Sequence, residues 1–360
     1  MNNVERIRRA MLEKNLDALL LTDEKNQRYA TGFHISDGAV LVTKKRAALI
    51  TDSRYIEAAE NTVDPEVTPI LYSRENPLMK RILEVLHEDG AERVGAEEGK
   101  LSHGQYLAYE KRLGLTLLPA QELLVQLRAS KTGDEIQRMI HAQRISEAAL
   151  EEVLPMLRPG MTEREAAAEL VYHMLKNGSE GNSFDPIVVT GKNTSLPHGV
   201  PGDSVICEGD FVTMDFGCLY DGYCSDMTRT VAIGYATDEM RNVYETVLKA
   251  QLAGIAAARA GVSGKSIDGA ARQVIADAGY GQYFGHGFGH CLGLDIHEPP
   301  TANPSGETIM PVNAVSSAEP GIYLPGKFGV RIEDVMILRE EGAEVITRAP
   351  KKDLLILQPK

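Results

Sequence analysis

The sequence predicts an α+β protein of two domains, an N-terminal α/β domain over residues 1–128 and a pseudo-symmetric domain over residues 129–360. Three observations carry this. At 360 residues the chain is longer than one hydrophobic core ordinarily serves. As far as residue 120, strand-like and helical stretches alternate, the pattern of an α/β domain. Beyond Thr132 an order of helix, helix and strands occurs twice, and Arg158-Pro159-Gly160-Met161-Thr162 is echoed by Arg259-Ala260-Gly261-Val262-Ser263, 101 residues later. That period is too long, and two copies are too few, for a solenoid. A functional site would lie between the copies.

The elements follow in order. Val4, Ile7, Ala10 and Met11 share one helical face over residues 1–13. Residues 18–22 form a short buried strand, and residues 29–33 lead into the turn signal Asp37-Gly38. Residues 39–43 and 47–51 read as a hairpin around Lys44-Lys45-Arg46, with a helix from Arg54. A strand at 67–71, a helix at 77–88, a strand at 93–95, a helix at 102–113 and a strand at 115–118 complete the first domain. In the second, Thr132-Gly133-Asp134-Glu135 starts a helix with acids in its first turn, and the apolar pattern runs to Leu157. Thr162 with Glu165 three residues on fits a capping box for a helix over 163–176. Strands follow at 187–190, 205–206, 211–216 and 223–231. The second copy has helices at 239–259 and 266–278 and strands at 313–318 and 329–338.

Composition narrows the function. The 43% hydrophobic and 25% charged content is that of a globular protein. A formal charge of -13 argues against nucleic acid as the main partner, because phosphate binding needs a basic face. The N-terminus carries charges and no apolar run, and no stretch is long and apolar enough to span a membrane. Cys207, Cys218, Cys224 and Cys291 show no C-x-x-C spacing and suggest free thiols in a reducing compartment, so the cytoplasm is expected.

Chemistry concentrates in His286-Gly287-Phe288-Gly289-His290-Cys291-Leu292-Gly293-Leu294-Asp295-Ile296-His297-Glu298. Alternate glycines disfavour a helix and suggest extended backbone that something approaches closely. Its histidines become a metal site only if carboxylates arrive from elsewhere. Asp215, in Phe211-Val212-Thr213-Met214-Asp215-Phe216-Gly217, and Asp226, in Cys224-Ser225-Asp226-Met227-Thr228, lie on a hairpin with its turn near Asp221-Gly222. One register sets Asp215 opposite Asp226. The other, with Asp221-Gly222 as the two central turn residues, sets it opposite Thr228 and diagonal to Asp226. Both put the two acids on one face. Acids side by side on an apolar hairpin repel unless a cation lies between them or one takes a proton. Glu319 and Glu333 are strand acids of the second copy, and pseudo-symmetry places them opposite the first pair. Four acids and one imidazole suit two divalent ions, more naturally Mn²⁺ than thiolate-bound Zn²⁺, sharing carboxylate bridges and an activated water.

These residues resemble the pita-bread metallopeptidases and, within them, the Xaa-Pro peptidases aminopeptidase P and prolidase. The resemblance covers nearly the whole chain: Tyr29-Ala30-Thr31-Gly32-Phe33 and Thr51-Asp52-Ser53-Arg54-Tyr55 in a creatinase-like N-terminal half, then Leu196-Pro197-His198-Gly199, Met214-Asp215-Phe216-Gly217, Ser225-Asp226-Met227-Thr228-Arg229-Thr230, the histidine stretch, Ala318-Glu319-Pro320-Gly321 and Arg331-Ile332-Glu333-Asp334. It implies two divalent ions per chain, Mn²⁺ first with Co²⁺ or Zn²⁺ as alternatives, held by Asp215, Asp226, His290, Glu319 and Glu333, with Asp226 and Glu333 bridging them. It implies that His198 and His297 steady the scissile carbonyl and its tetrahedral intermediate, that His286 lies near the pocket, that Arg331 supports the metal-site network, and that Glu319 also shuttles a proton. The implied substrates are short peptides with proline second, cut before the proline through a metal-bridging water, by a homodimer in which the loop of His34 and Asp37 can reach a neighbouring site.

Two departures matter. Thr301 stands near where many prolidases carry an arginine for a dipeptide's carboxylate, which favours aminopeptidase P over prolidase unless another arginine takes that role. Cys291 follows His290 where a small residue is frequent, and Cys224 precedes Asp226 by two, so sensitivity to thiol reagents is expected. His87, His103, His141 and His173 lie on expected helices and take surface or packing roles. Methionine aminopeptidase is disfavoured by the long N-terminal domain, and metal-free creatinase by the five retained ligand positions. An inactive pita-bread binding protein is the alternative of another class, disfavoured by the same retention.

Overall fold

A computed structural model describes residues 2–358. The chain packs as two compact units, residues 1–128 and 129–360. In the first, the order is α1 (Asn3–Glu13), β1 (Ala18–Leu21), α2 (Glu24–Thr31), β2 (Gly38–Thr43), β3 (Ala47–Thr51), α3 (Ile56–Thr62), β4 (Val67–Leu71), α4 (Leu78–Asp89), β5 (Val94–Ala96), α5 (His103–Leu113), β6 (Leu118–Pro119) and α6 (Gln121–Ala129). One mixed sheet runs β4-β3-β2-β1-β5-β6. Its β1–β3 strands are apolar on both faces and buried throughout save Gly38, as a sheet covered on both sides requires. The alternation of strand and helix expected here is present. Two helices were not expected. α2, Glu-Lys-Asn-Gln-Arg-Tyr-Ala-Thr, has no apolar stripe, and its ends are set by an Asp23 side-chain cap and a left-handed Gly32 at φ 70°. α6 follows too closely on β6 to be separated by pattern alone.

The second unit opens with α7 (Gly133–Val153) and α8 (Glu163–Lys176), both started by capping boxes, Thr132 with Glu135 and Thr162 with Glu165. β7 (Gly181–Asn182), β8 (Ile187–Thr190), β9 (Phe211–Phe216), β10 (Cys218–Tyr220), β11 (Tyr223–Cys224) and β12 (Met227–Ile233) follow. Then come α9 (Asp238–Ala257), α10 (Gly264–Asp277), β13 (Gly289–Cys291), β14 (Glu298–Ala302), β15 (Val315–Ala318), β16 (Gly321–Leu324), β17 (Phe328–Arg331), β18 (Asp334–Leu338), β19 (Ala343–Val345) and β20 (Ile356–Leu357). The main sheets are β20-β12-β9-β8 and β14-β13-β15-β18-β19. α7 and α8 pack on the first through Ile145, Leu150, Leu170, Val188 and Met214, and α9 and α10 on the second through Val247, Ile267, Ile275, Ala318 and Met336.

The internal repeat extends to single hydrogen bonds. Gly160 and Gly261, both at positive φ, donate to Ile206 O and Met310 O at 3.0 and 2.9 Å. Bridges Thr162–Val205 and Ser263–Ile309 close each helix start in the same way. Residues 205–206 are therefore a bridge and not the strand expected of them.

The hairpin register is the second of the two foreseen. Asp215 pairs with Thr228 and Tyr220 with Tyr223, leaving Asp221 and Gly222 as the turn at φ 47° and 75°. Two expected strands are each broken. The ladder over 223–231 stops at Ser225 and Asp226, and that over 329–338 stops at Ile332 and Glu333. In both cases the acid leaves the ladder where the chain passes from one sheet to another, and its N–H finds a partner outside it: Glu333 N donates to Thr228 O at 3.1 Å and Asp226 N to Gln143 Oε1 at 3.5 Å.

Candidate metal centre and active site

The breaks aim both acids into a pocket of about 560 Å³ within the second unit. His198, Asp215, Asp226, His286, His290, His297, Glu319, Arg331 and Glu333 all line it. β9 carries Asp215, the strand breaks carry Asp226 and Glu333, β13 carries His290, and Glu319 follows β15 directly. Asp226, His290 and Glu333 each offer one ligand atom within 4.8 Å of the others. His290 Nε2 lies 3.3 Å from Glu319 Oε1 and 3.6 Å from Asp226 Oδ2.

Each group is held by neighbours. The Cys291 carbonyl, 3.1 Å from His290 Nδ1, can only accept, so Nδ1 bears a hydrogen and Nε2 faces the acids; burial pushes the ring down, but Glu319 and Asp226 outweigh it and raise His290 to about 9. Ser317 Oγ receives the His290 N–H at 3.0 Å and donates to Glu319 Oε1 at 3.1 Å. Thr228 Oγ1 donates to Glu333 Oε2 at 2.8 Å. Arg331 reaches Asp215 Oδ2 through Nη2 at 2.5 Å, Tyr323 Oη through Nη1 at 2.8 Å, Thr228 Oγ1 through Nε at 3.1 Å, and the carbonyl of Pro197, beside His198, through Nη1 at 3.3 Å.

Tyr323 was missed by the sequence reading. Its hydroxyl is 2.9 Å from His286 Nε2, while His286 Nδ1 meets the Gly287 carbonyl at 2.8 Å. That carbonyl fixes the hydrogen on Nδ1, so Tyr323 donates to Nε2. Burial pushes the Tyr323 hydroxyl up to about 12 and His286 below its ordinary value, and both effects keep this arrangement neutral. The available signal was the hairpin over residues 321–331: Gly321 pairs with Arg331, so Tyr323 sits diagonally on the same face.

The electrostatics favour a cation. Burial, and then Asp215 beside it, pushes Asp226 well above the usual carboxylate range. Burial, and then Asp226, does the same to Glu333. Burial raises Asp215 despite Arg331. Glu319 is the exception. Burial pushes it up, but His290 outweighs that and holds it at about 2. Asp215 Oδ1 is buried and lacks a hydrogen-bond partner. A buried carboxylate oxygen without a donor, among acids raised by one another, is the environment a bound cation relieves. The donors therefore fit divalent metal.

Three other expectations meet the structure here. Cys224 and Cys291 are 2% and 0% exposed, and burial pushes the Cys291 thiol up to about 11. That runs against thiol sensitivity, since reagents attack exposed thiolates; the exposed cysteine is Cys207. Thr301 lines the pocket, and among the described residues the one lysine or arginine lining it is Arg331, already engaged by Asp215 and Tyr323. His87, His103, His141 and His173 do lie on helices, outside the pocket.

Metallopeptidase family M24 matches residues 137–340, and the Creatinase/Prolidase N-terminal domain matches residues 3–130. The chain is similar to an Xaa-Pro dipeptidase from Bacillus anthracis, with 41% identity, a TM-score of 0.93 and 99% of both chains covered. It is similar to an X-Pro aminopeptidase from Thermotoga maritima at 36% identity and TM-score 0.91, covering 97% of this chain and 99% of that one. An Xaa-Pro dipeptidase of Pyrococcus furiosus is 33% identical over 97% of this chain and 98% of its own length.

Proposed function

The chain belongs to metallopeptidase family M24, and we propose that it hydrolyses Xaa-Pro peptide bonds in short peptides, releasing the residue before proline. The carrying observation is the convergence of Asp215, Asp226, His290, Glu319 and Glu333 in one pocket, with Asp215 Oδ1 unsatisfied. These five residues would hold divalent ions, with Mn²⁺ the first choice for so oxygen-rich a donor set. Bound there, the ions supply Lewis acidity and a water-derived nucleophile at neutral pH. Glu319 Oε1 takes the proton of the attacking water and passes it toward the leaving proline nitrogen. His198 and His297 donate to the scissile carbonyl as it becomes tetrahedral. Arg331 fixes Asp215, and Tyr323 fixes His286 at the pocket wall. Phe184, Ile187 and Ile296 give the pocket an apolar side against which a pyrrolidine ring packs.

Tripeptides and longer substrates fit best, because Arg331, among the described residues the one lysine or arginine lining the pocket, is engaged by Asp215 and not free for a dipeptide's carboxylate. Prolidase activity is the second reading, favoured by the similarity to the Bacillus anthracis Xaa-Pro dipeptidase. Assaying Xaa-Pro beside Xaa-Pro-Yaa with the metal-loaded protein separates them. Faster turnover of the tripeptide is expected, and turnover of the dipeptide alone would reverse the assignment.

A further inference from the structure

Lys131 and Glu298 form an ion pair that the chemistry above does not use. Their side chains are 2% and 6% exposed, with Lys131 Nζ 3.1 Å from Glu298 Oε2. Two charges taken this far from water persist only where geometry and additional hydrogen bonds satisfy them. Here the second carboxylate oxygen, Oε1, accepts the Asp295 N–H at 3.1 Å. Gly293 backs onto the same carboxylate, and a Cβ at that position would stand 2.8 and 2.9 Å from its two oxygens.

The segment so pinned, residues 292–297, lies between β13 and β14 and has no ladder of its own. Gly293 O accepts the Cys224 N–H at 2.7 Å, and Gly293 N donates to Asp295 O at 3.0 Å. His297, the residue before Glu298, is exposed, and its ring lies edge-on to His290 at 4.3 Å between centroids. Lys131 immediately precedes the Thr132 cap of α7, and its own N–H is tied to Asn313 O at 3.1 Å. One charged pair thus joins the start of a long helix to the turn that presents His297.

We propose that Lys131 and Glu298 are positioning residues, whose buried pair holds the 292–298 turn so that the His297 ring stays beside His290. This rests on the role given to His297 above. The pair touches no reacting atom. It acts by limiting displacement of His297, and a misplacement of about 1 Å can cost on the order of a hundredfold in rate.

The test is a double-mutant cycle on the metal-loaded protein: Lys131→Met and Glu298→Gln, each with and without His297→Ala. In the wild-type background Lys131→Met is expected to lower kcat by about ten- to a hundredfold, with KM within about twofold and metal content unchanged. In the His297→Ala background it is expected to change kcat by less than about twofold. Lys131→Arg, which keeps the charge, restores most of the rate. An equal loss in both backgrounds, a loss of bound metal, or an unchanged kcat would overturn the proposal. Should Lys131→Met fail to fold, the pair Lys131→Met with Glu298→Gln removes the stranded charge and takes its place in the cycle. The His297 ring resonance in ¹³C-histidine-labelled Glu298→Gln gives a second readout: it moves if the pair positions the ring, and an unmoved resonance contradicts the proposal. If His297→Ala alone leaves kcat intact, the role of His297 fails, whereas the resonance still decides whether the pair positions it.

Discussion

At the scale of single residues, the three histidines of one short stretch have separate surroundings and separate expected phenotypes. His290 turns Nε2 toward Glu319 and Asp226 because its other nitrogen is held by a backbone carbonyl, an orientation suited to a metal ligand. His290→Ala is expected to reduce metal content measured by elemental analysis, whereas His297→Ala keeps metal and loses kcat. Retained metal in the first variant would remove His290 from the ligand set. Asp226 sits at the centre of the raised acids, so Asp226→Asn at saturating metal is expected to lose more than the roughly 10–100-fold typical of residues one step from a metal. Wild-type activity there would contradict the metal-ligand role proposed for Asp226. The nine candidate residues were legible because each stands in a short motif of distinctive chemistry. Tyr323 and Lys131 stand in none, and Glu298 closes the histidine stretch with nothing nearby in the sequence to mark its partner; their significance comes from chain crossings that no local spacing records.

The elements show why acids arrive together. The β9–β12 hairpin could be read from its alternation and its Asp-Gly turn, but alternation alone allowed two registers. The turn decides between them, since both central residues adopt positive φ. What could not be read was the pair of strand breaks, because Ser225-Asp226 and Ile332-Glu333 carry no glycine or proline to mark an interruption. Across the first break, Gly217 passes so close that a methyl would run into the Ser225 carbonyl and the Ser183 hydroxyl. Gly217→Ala is therefore expected to cost about 1–3 kcal/mol in denaturant unfolding and to weaken metal binding, since Asp226 follows Ser225 directly. An unchanged midpoint together with unchanged metal affinity would show that the hairpin adjusts freely.

At the scale of the molecule, the repeat visible as a five-residue echo is a real duplication of hydrogen bonds, helix caps and core layers, and each copy supplies two of the four acids. The helices of the second unit were legible from caps and apolar stripes, and α2 was not, since its polar sequence takes its ends from Asp23 and Gly32 alone. Asp215, Asp226, Glu319 and Glu333, brought together in one pocket, repel one another, and a bound cation would relieve that repulsion. Saturating metal at 100 times its Kd would stabilise the fold by about 2.7 kcal/mol, so chelation is expected to lower Tm, and a Tm insensitive to chelator would contradict the buried-acid reading. The most direct test of the central claim is the rate of Xaa-Pro-Yaa hydrolysis by chelator-stripped protein as Mn²⁺ is added back. The rate should be near zero without metal and rise to a plateau as the five-residue site fills; metal-independent turnover, or no turnover of Xaa-Pro peptides of any length with Mn²⁺, Co²⁺ or Zn²⁺, would contradict it.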